Sequence, residues 1–188
     1  MEEALEHLDS DAGISVAPGE PGHAAGPAAS DAFRLAMRNL ASGVSVVTTG
    51  RGETRTGFTA ISTASLSVDP PSLLVCVERR SSSWPVLATL RSFCVNVLAE
   101  DQAAIADSFA GRGGRKGTAR YHGASWQQTA LGSWALVGAV IGFDCVLEEA
   151  IERHTHAILI GAVRAIIPGS ADARPLLHWQ SAYRQLAE

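Results

Sequence analysis

The chain has 188 residues, 46% of them hydrophobic and 18% charged, with a formal net charge of −4. That length sustains one domain with a substantial core, and that balance excludes a disordered polymer. The acidic balance gives no electrostatic reason for nucleic-acid binding, and no apolar run approaches the ~20 residues that a membrane-spanning helix needs.

Residues 1–30 are rich in Ala, Gly, Pro and acids and have no apolar period. They read as a disordered acidic tail ahead of a folded domain over 31–188. The tail has no basic region followed by an apolar one, so it does not read as a signal peptide, and a cytoplasmic location is the default expectation. Residues 1–31 hold seven acids and no Lys or Arg, which leaves 12 acids against 15 bases in the remainder, a balance of +3. An anionic ligand is easier to accept on such a body, although most of these charges belong to a solvated surface.

Asp31 is placed to cap a helix over Ala32 to Leu40, with Phe33, Met37 and Leu40 as its buried face. Val44 to Thr49 is β-branched and predicts a strand, Gly50 to Glu53 a hairpin turn, and Thr56 to Ala60 the partner strand. Ser72 to Val77 predicts a third strand, buried on both faces, entered through Pro70-Pro71. Trp84 to Leu90 reads as a short helix with Pro85 in its first turn. Phe93 to Leu98 is a fourth strand, followed by a helix from Asp101 to Phe109 and a flexible basic loop from Gly111 to Arg120. Ala135 to Glu148 and His156 to Ile167 predict a long antiparallel pair, Leu176 to Trp179 a last strand, and Ser181 to Leu186 a helical turn. Strands without an alternating helix rhythm exclude a doubly wound sheet and favour a closed antiparallel barrel with peripheral helices.

Cys76, Cys94 and Cys145 lie in apolar runs without CxxC pairing, which predicts buried, inert thiols and no disulfide framework or zinc site. No dinucleotide-binding glycine motif, phosphate loop, zinc-protease motif or serine-hydrolase elbow is present. The densest signal is the run GFTAISTASLSVDPPSLLVCV over 57–77, crowded with Thr59, Ser62, Thr63, Ser65 and Ser67. Short donors and bare backbone on adjacent strands suit a flat, polar-edged, phosphorylated ligand, with flavin the leading candidate. Read without further context, the same residues are ordinary strand positions.

Several motifs occur together and in order: Ser42-Gly43-Val44 with SVVTT, the 57–77 run, SSSW at 81–84, FCVNVLAEDQ, Phe109-Ala110-Gly111, HAILIGAV, and RPLLHW followed by a Tyr. In that order, over about Phe33 to Tyr183, the chain resembles the small flavin reductases that supply reduced flavin to two-component monooxygenases. The resemblance implies a split β-barrel, a homodimer, reduction of FMN or FAD by NADH or NADPH, and a flavin-dependent monooxygenase as partner. It places Gly57, Phe58, Thr59, Ala60, Ile61, Ser62 and Ser65 against the flavin ring. A second flavin group is Cys76, Val77, Glu78, Ser81, Ser82, Ser83 and Trp84, where serines before a helix, with Arg79 or Arg80, make an anion site.

The resemblance further associates His156 with the nicotinamide as the candidate catalytic residue, together with His154 and the segment Pro175, Leu176, Leu177 and His178. Arg153-His154-Thr155 departs from the family's usual Gly-Asp-His pattern around that histidine. The basic residues Arg112, Arg115 and Lys116 are candidates for a dinucleotide phosphate or for plain solvation. His154 and His156 lack a third ligand at useful spacing, so no metal is expected. Competing readings are a flavin-retaining oxidoreductase and a non-catalytic flavin- or haem-binding module; the basic cluster of a pyridoxamine-phosphate oxidase is not seen.

Overall fold

The computed structural model describes residues 28–187, so the expected acidic tail lies almost wholly outside the described residues. Its helices are α1 (Ser30–Met37), α2 (Trp84–Leu90) and α3 (Ala103–Phe109). The strands are β1 (Ser42–Gly43), β2 (Ser45–Thr49), β3 (Thr56–Ala60), β4 (Ala64–Val68), β5 (Pro71–Glu78) and β6 (Ser92–Val97). They continue with β7 (Trp126–Gln128), β8 (Trp134–Leu136), β9 (Ile141–Arg153), β10 (His156–Pro168), β11 (Leu177–Trp179) and β12 (Ala182–Arg184). The protein is mainly β with short helices.

Seven strands form one antiparallel sheet in the order β3-β2-β6-β9-β10-β5-β4. β3 and β4 are its two edges, yet only residues 61–63 connect them. Laid flat, seven strands separate their edges by roughly 29 Å at about 4.8 Å per step. Three linking residues reach no more than about 14 Å. The sheet is therefore strongly curled, bringing one edge back toward the other. No ladder joins β3 to β4 among the described residues, so the expected closed barrel is corrected to a curled, open sheet. A strand missed in the sequence, β4, makes the second edge; its five residues are mostly exposed, so no buried run announced it.

The β-branched stretch of β2 is buried along its length because β3 and β6 flank it on both sides. β5 enters at Pro71, the first residue of the strand, where the missing amide hydrogen costs no central ladder bond. One core cluster packs Val47, Phe58, Val75, Phe93, Leu147 and Leu159 inside the curl, with Trp84 against it. A second joins Val44, Val46, Leu98, Phe109, Tyr121 and Leu176 on the other side of β2. Gly161 lies where β10 crosses Phe93: a Cβ there would sit 2.5 Å from the Phe93 ring.

Other expectations change in detail. The Ala135–Glu148 segment divides into β8 and the much longer β9, which turns into β10 at His154-Thr155. Ser181 to Leu186 carries β12, paired to β11, in place of a helical turn. Gln102, not Asp101, precedes α3, and its Oε1 accepts the Ala99 amide. Asp31 lies inside the first turn of α1 and pairs with Arg34 across one turn. The face of α1 expected to be buried is exposed at Phe33, Met37 and Leu40. The 111–120 loop is built from two short 3₁₀ turns, 112–114 and 117–121, the second ending on the buried pair Arg120-Tyr121. Cys94 and Cys145 are buried as expected, whereas Cys76 is only half-buried.

Candidate active site

The curl leaves a cleft where β3 approaches β5. Its volume is about 680 Å³, within the size range of small-molecule sites. Phe58 to Ser62 contribute from β3 and the connection after it, Cys76 and Glu78 from β5, and Arg80 to Ser82 from the turn before α2. Phe109 and Ala110 come from the end of α3, Lys116 and Arg120 from the loop beyond it, and His156 from the start of β10. Sequence positions nearly a hundred residues apart thus meet through the β5–β10 ladder, in which His156 is the register partner of Glu78.

Most of the hydroxyls in this region serve the scaffold. Thr59 Oγ1 donates to the Ala106 carbonyl at 2.6 Å, and Ser62 Oγ accepts the Cys76 amide at 3.0 Å. Ser83 is fully buried; its Oγ donates to the Gly57 carbonyl at 2.9 Å and lies 3.0 Å from Thr56 Oγ1. Ser81 Oγ likewise accepts the Ser83 amide at 3.2 Å; Ser81, Ser82 and the 58–62 run all line the cleft. The small-hydroxyl pattern read in the sequence thus falls on a segment that lines the cleft, with its Thr59 and Ser62 hydroxyls turned to the scaffold.

Gly57 lies behind the cleft and has no room for a side chain. A Cβ there would stand 2.4 Å from the Val47 carbonyl and 2.7 Å from the Phe109 ring. That close approach lets Phe109 settle into the cleft wall. Val77 is buried in the core, Trp84 packs on the core from α2, and Ser65 projects from the edge strand β4. None of these, nor Ser83, lines the cleft.

The expected nicotinamide residues divide. His156 is exposed at the cleft, with Nδ1 2.8 Å from Thr155 Oγ1. His154 takes the left-handed turn position at φ 50°, and its carbonyl accepts from Arg79. Pro175 to His178 run elsewhere: Pro175 bridges Ala99, and Leu177 and His178 pair with β1. Leu176 instead lines a separate cleft with Glu100, Ala103 and Tyr183. Within one chain, the segment 175–178 therefore does not join His156.

Three cations, Arg80, Lys116 and Arg120, face the cleft against one carboxylate, Glu78. Arg79 is excluded from this set because it pairs with Glu152 at 2.6 Å. Arg112 bonds Asp107, and Arg115 bonds Ser108 Oγ. Arg120, read in the sequence as a loop charge, is buried, and burial lowers its pKa. Its only sequence signal is its neighbour Tyr121, an aromatic anchor that pulls the loop inward and donates its hydroxyl to the Thr56 carbonyl at 2.7 Å. A polar-edged cleft with excess positive charge fits a flavin carrying phosphate.

A family model described as flavin reductase like domain matches residues 37–187. The chain belongs to this family of flavin reductases. It is 39% identical over 155 residues to the FMN reductase (NADH) RutF 2 of Methylorubrum extorquens, covering 82% of this chain and 88% of that one. It is 38% identical over 134 residues to the FMN reductase (NADH) RutF of Klebsiella pneumoniae, covering 71% and 80%. Among solved structures, it is similar to BorF, the flavin reductase component of a bacterial two-component tryptophan halogenase. That match has a TM-score of 0.77 at 31% identity and covers 85% of this chain and 99% of that one. The NADH:FAD oxidoreductase of Streptomyces globisporus C-1027, in complex with NAD and FAD fragments, matches with a TM-score of 0.78 at 26% identity over 88% and 98% of the chains.

Proposed function

We propose that the chain is an NADH-dependent FMN reductase whose reduced flavin passes to a separate flavin-dependent monooxygenase. The observation that carries this reading is the convergence of residues 58–62, the turn before α2 and His156 on one cation-rich cleft. Relatives named as FMN reductases using NADH support the choice of FMN and NADH. FAD is the second reading, favoured by the NADH:FAD oxidoreductase among the similar structures. The flavin reductase component of a two-component halogenase supports a partner that consumes reduced flavin. A cytoplasmic location belongs to this reading, because the cell's reduced nicotinamide pool is there.

The bound ligands supply the chemistry themselves, as hydride passes from nicotinamide C4 to flavin N5. The chain's residues orient the two rings and keep water away. Main-chain groups of Thr59 to Ser62 take the polar ring edge, and Ser81, Ser82 and Arg80 take the phosphate. Phe109 and Ala110 shield the site from the α3 side. His156, beside Glu78 at the rim, orients the nicotinamide. The curl of the main sheet supports a split β-barrel. Apolar side chains exposed on α1 and β4, among them Phe33, Leu35, Leu66 and Val68, support a homodimer in which a second copy covers them.

The test follows the absorbance of NADH and NADPH with FMN, FAD or no flavin added. NADH consumption that depends on free flavin and is fastest with FMN is expected. Absence of consumption in every combination overturns the proposal and leaves the non-catalytic flavin- or haem-binding reading.

A further inference from the structure

Arg120 holds a charge in an expensive place. Only 9% of its surface is exposed, and what remains open lines the cleft. Its Nε donates to the Arg115 carbonyl at 3.3 Å. Its Nη1 donates to the Gly57 carbonyl and lies 3.5 Å from Ser83 Oγ. These acceptors are all neutral, and no carboxylate pairs with Arg120 among the described residues. Nη2 makes no hydrogen bond among the described residues. An unpaired buried cation is costly unless something brings a counter-charge.

Two kinds of negative charge are available in a flavin: the phosphate, present in both redox states, and the ring, which gains a charge on reduction. In NADH + FMN → NAD⁺ + FMNH⁻, the transferred hydride adds one hydrogen and one negative charge to the ring. Arg80, Ser81 and Ser82 already form a polar group suited to the phosphate. Arg120 lies beside Ser83, next in the chain to that group, and also bonds the Gly57 carbonyl, where Phe109 packs. Resting on the flavin reading above, we infer that Arg120 favours the reduced, anionic flavin ring over the oxidised ring, and so sets how far the bound couple lies toward reduction.

The experiment measures dissociation constants of oxidised and anaerobically reduced flavin, for FMN and for riboflavin, with wild type, Arg120→Gln and Arg120→Lys. The wild type is expected to bind the reduced form of both flavins at least about tenfold more tightly, the scale of one nearby charge in a partly buried site. Arg120→Gln is expected to lose about tenfold of that preference, equivalent to about 30 mV for a two-electron couple, while Arg120→Lys keeps most of it. Equal weakening of oxidised and reduced FMN in Arg120→Gln overturns the inference. With riboflavin unaffected, such weakening marks a phosphate anchor; with riboflavin weakened as well, it marks a scaffold role. Where Arg120→Gln does not fold, wild-type riboflavin decides, since a reduced-to-oxidised ratio near one overturns the inference. Flavin-dependent NADH turnover by a protein with no redox preference defeats this inference alone, whereas no flavin binding at all defeats the functional reading with it.

Discussion

Gly57→Ala tests the link between sheet packing and the cleft. The added Cβ would stand 2.4 Å from the Val47 carbonyl oxygen and 2.7 and 2.9 Å from two Phe109 ring carbons, where ordinary contact begins at 3.4 Å. Val47 is held between β3 and β6, so β3 must shift at residue 57, and the Phe109 ring must move as well. Overpacking of this kind costs about 1–3 kcal/mol. In a domain of this size, that lowers Tm by about 2–12 °C, at about 2–4 °C per kcal/mol. Because Phe109 forms part of the cleft wall, the KM for flavin is expected to rise as well. Gly161→Ala is the control: its Cβ would meet Phe93 at 2.5 Å and Cys145 at 3.1 Å, in the core away from the cleft. Thermal unfolding and flavin-dependent NADH oxidation of both variants separate the two effects. An unchanged Tm in Gly57→Ala, or a Tm loss with flavin KM unchanged as in Gly161→Ala, would refute the reasoning.

His156→Ala is expected to raise the KM for NADH more than that for flavin; an equal loss for both in steady-state kinetics contradicts its place beside the nicotinamide. For the proposed homodimer, Val68→Lys, at a position 85% exposed on the edge strand β4, is expected to leave the fold intact and give a monomer in sedimentation where wild type gives a dimer; a variant as dimeric as wild type excludes β4 from the interface. Burial raises the pKa of Asp144, against the opposing hydrogen bonds from the Leu131 amide and Thr129 hydroxyl. Its favourable contribution is thus full below the unfolded pKa and is lost as pH rises through the folded one. Asp144→Asn is expected to remove that part of the pH dependence in denaturant titrations, so the variant gains on wild type as pH rises; a pH-independent difference contradicts it. Tyr183 donates to Asp107 Oδ1 at 2.8 Å, and its phenol is pushed up to about 12, first by burial and then by Asp107. Tyr183→Phe is expected to cost about 0.5–1.5 kcal/mol, and a variant as stable as wild type rules out a stabilising latch between β12 and α3.

The strands that are mostly buried were readable in the sequence because burial writes itself as apolar runs: β2, β5, β6 and the first half of β10 do so. β4 was not, because its Ala, Ser and Leu face solvent on an edge and carry no apolar run. The apolar face of α1 was read correctly as a face and wrongly as buried, since periodicity reports a stripe and not what covers it. His156 and the 58–62 run, grouped by ordered motifs, line one cleft. Arg120 could not be grouped with them, because a Gly-rich loop has no period and its burial depends on Tyr121 and on the Gly57 carbonyl, contacts far apart in sequence. The segment 175–178 was grouped with His156 by resemblance, and pairing with β1 takes it to a different sheet.

The most direct measurement is the crystal structure of the protein with FMN bound. The flavin is expected in the cleft between residues 58–62 and Ser81-Ser82, its phosphate beside Arg80 and its ring toward Phe109 and Arg120, with His156 at the open side. Flavin found instead in the cleft lined by Leu176 and Tyr183, with the first cleft empty, would contradict the account.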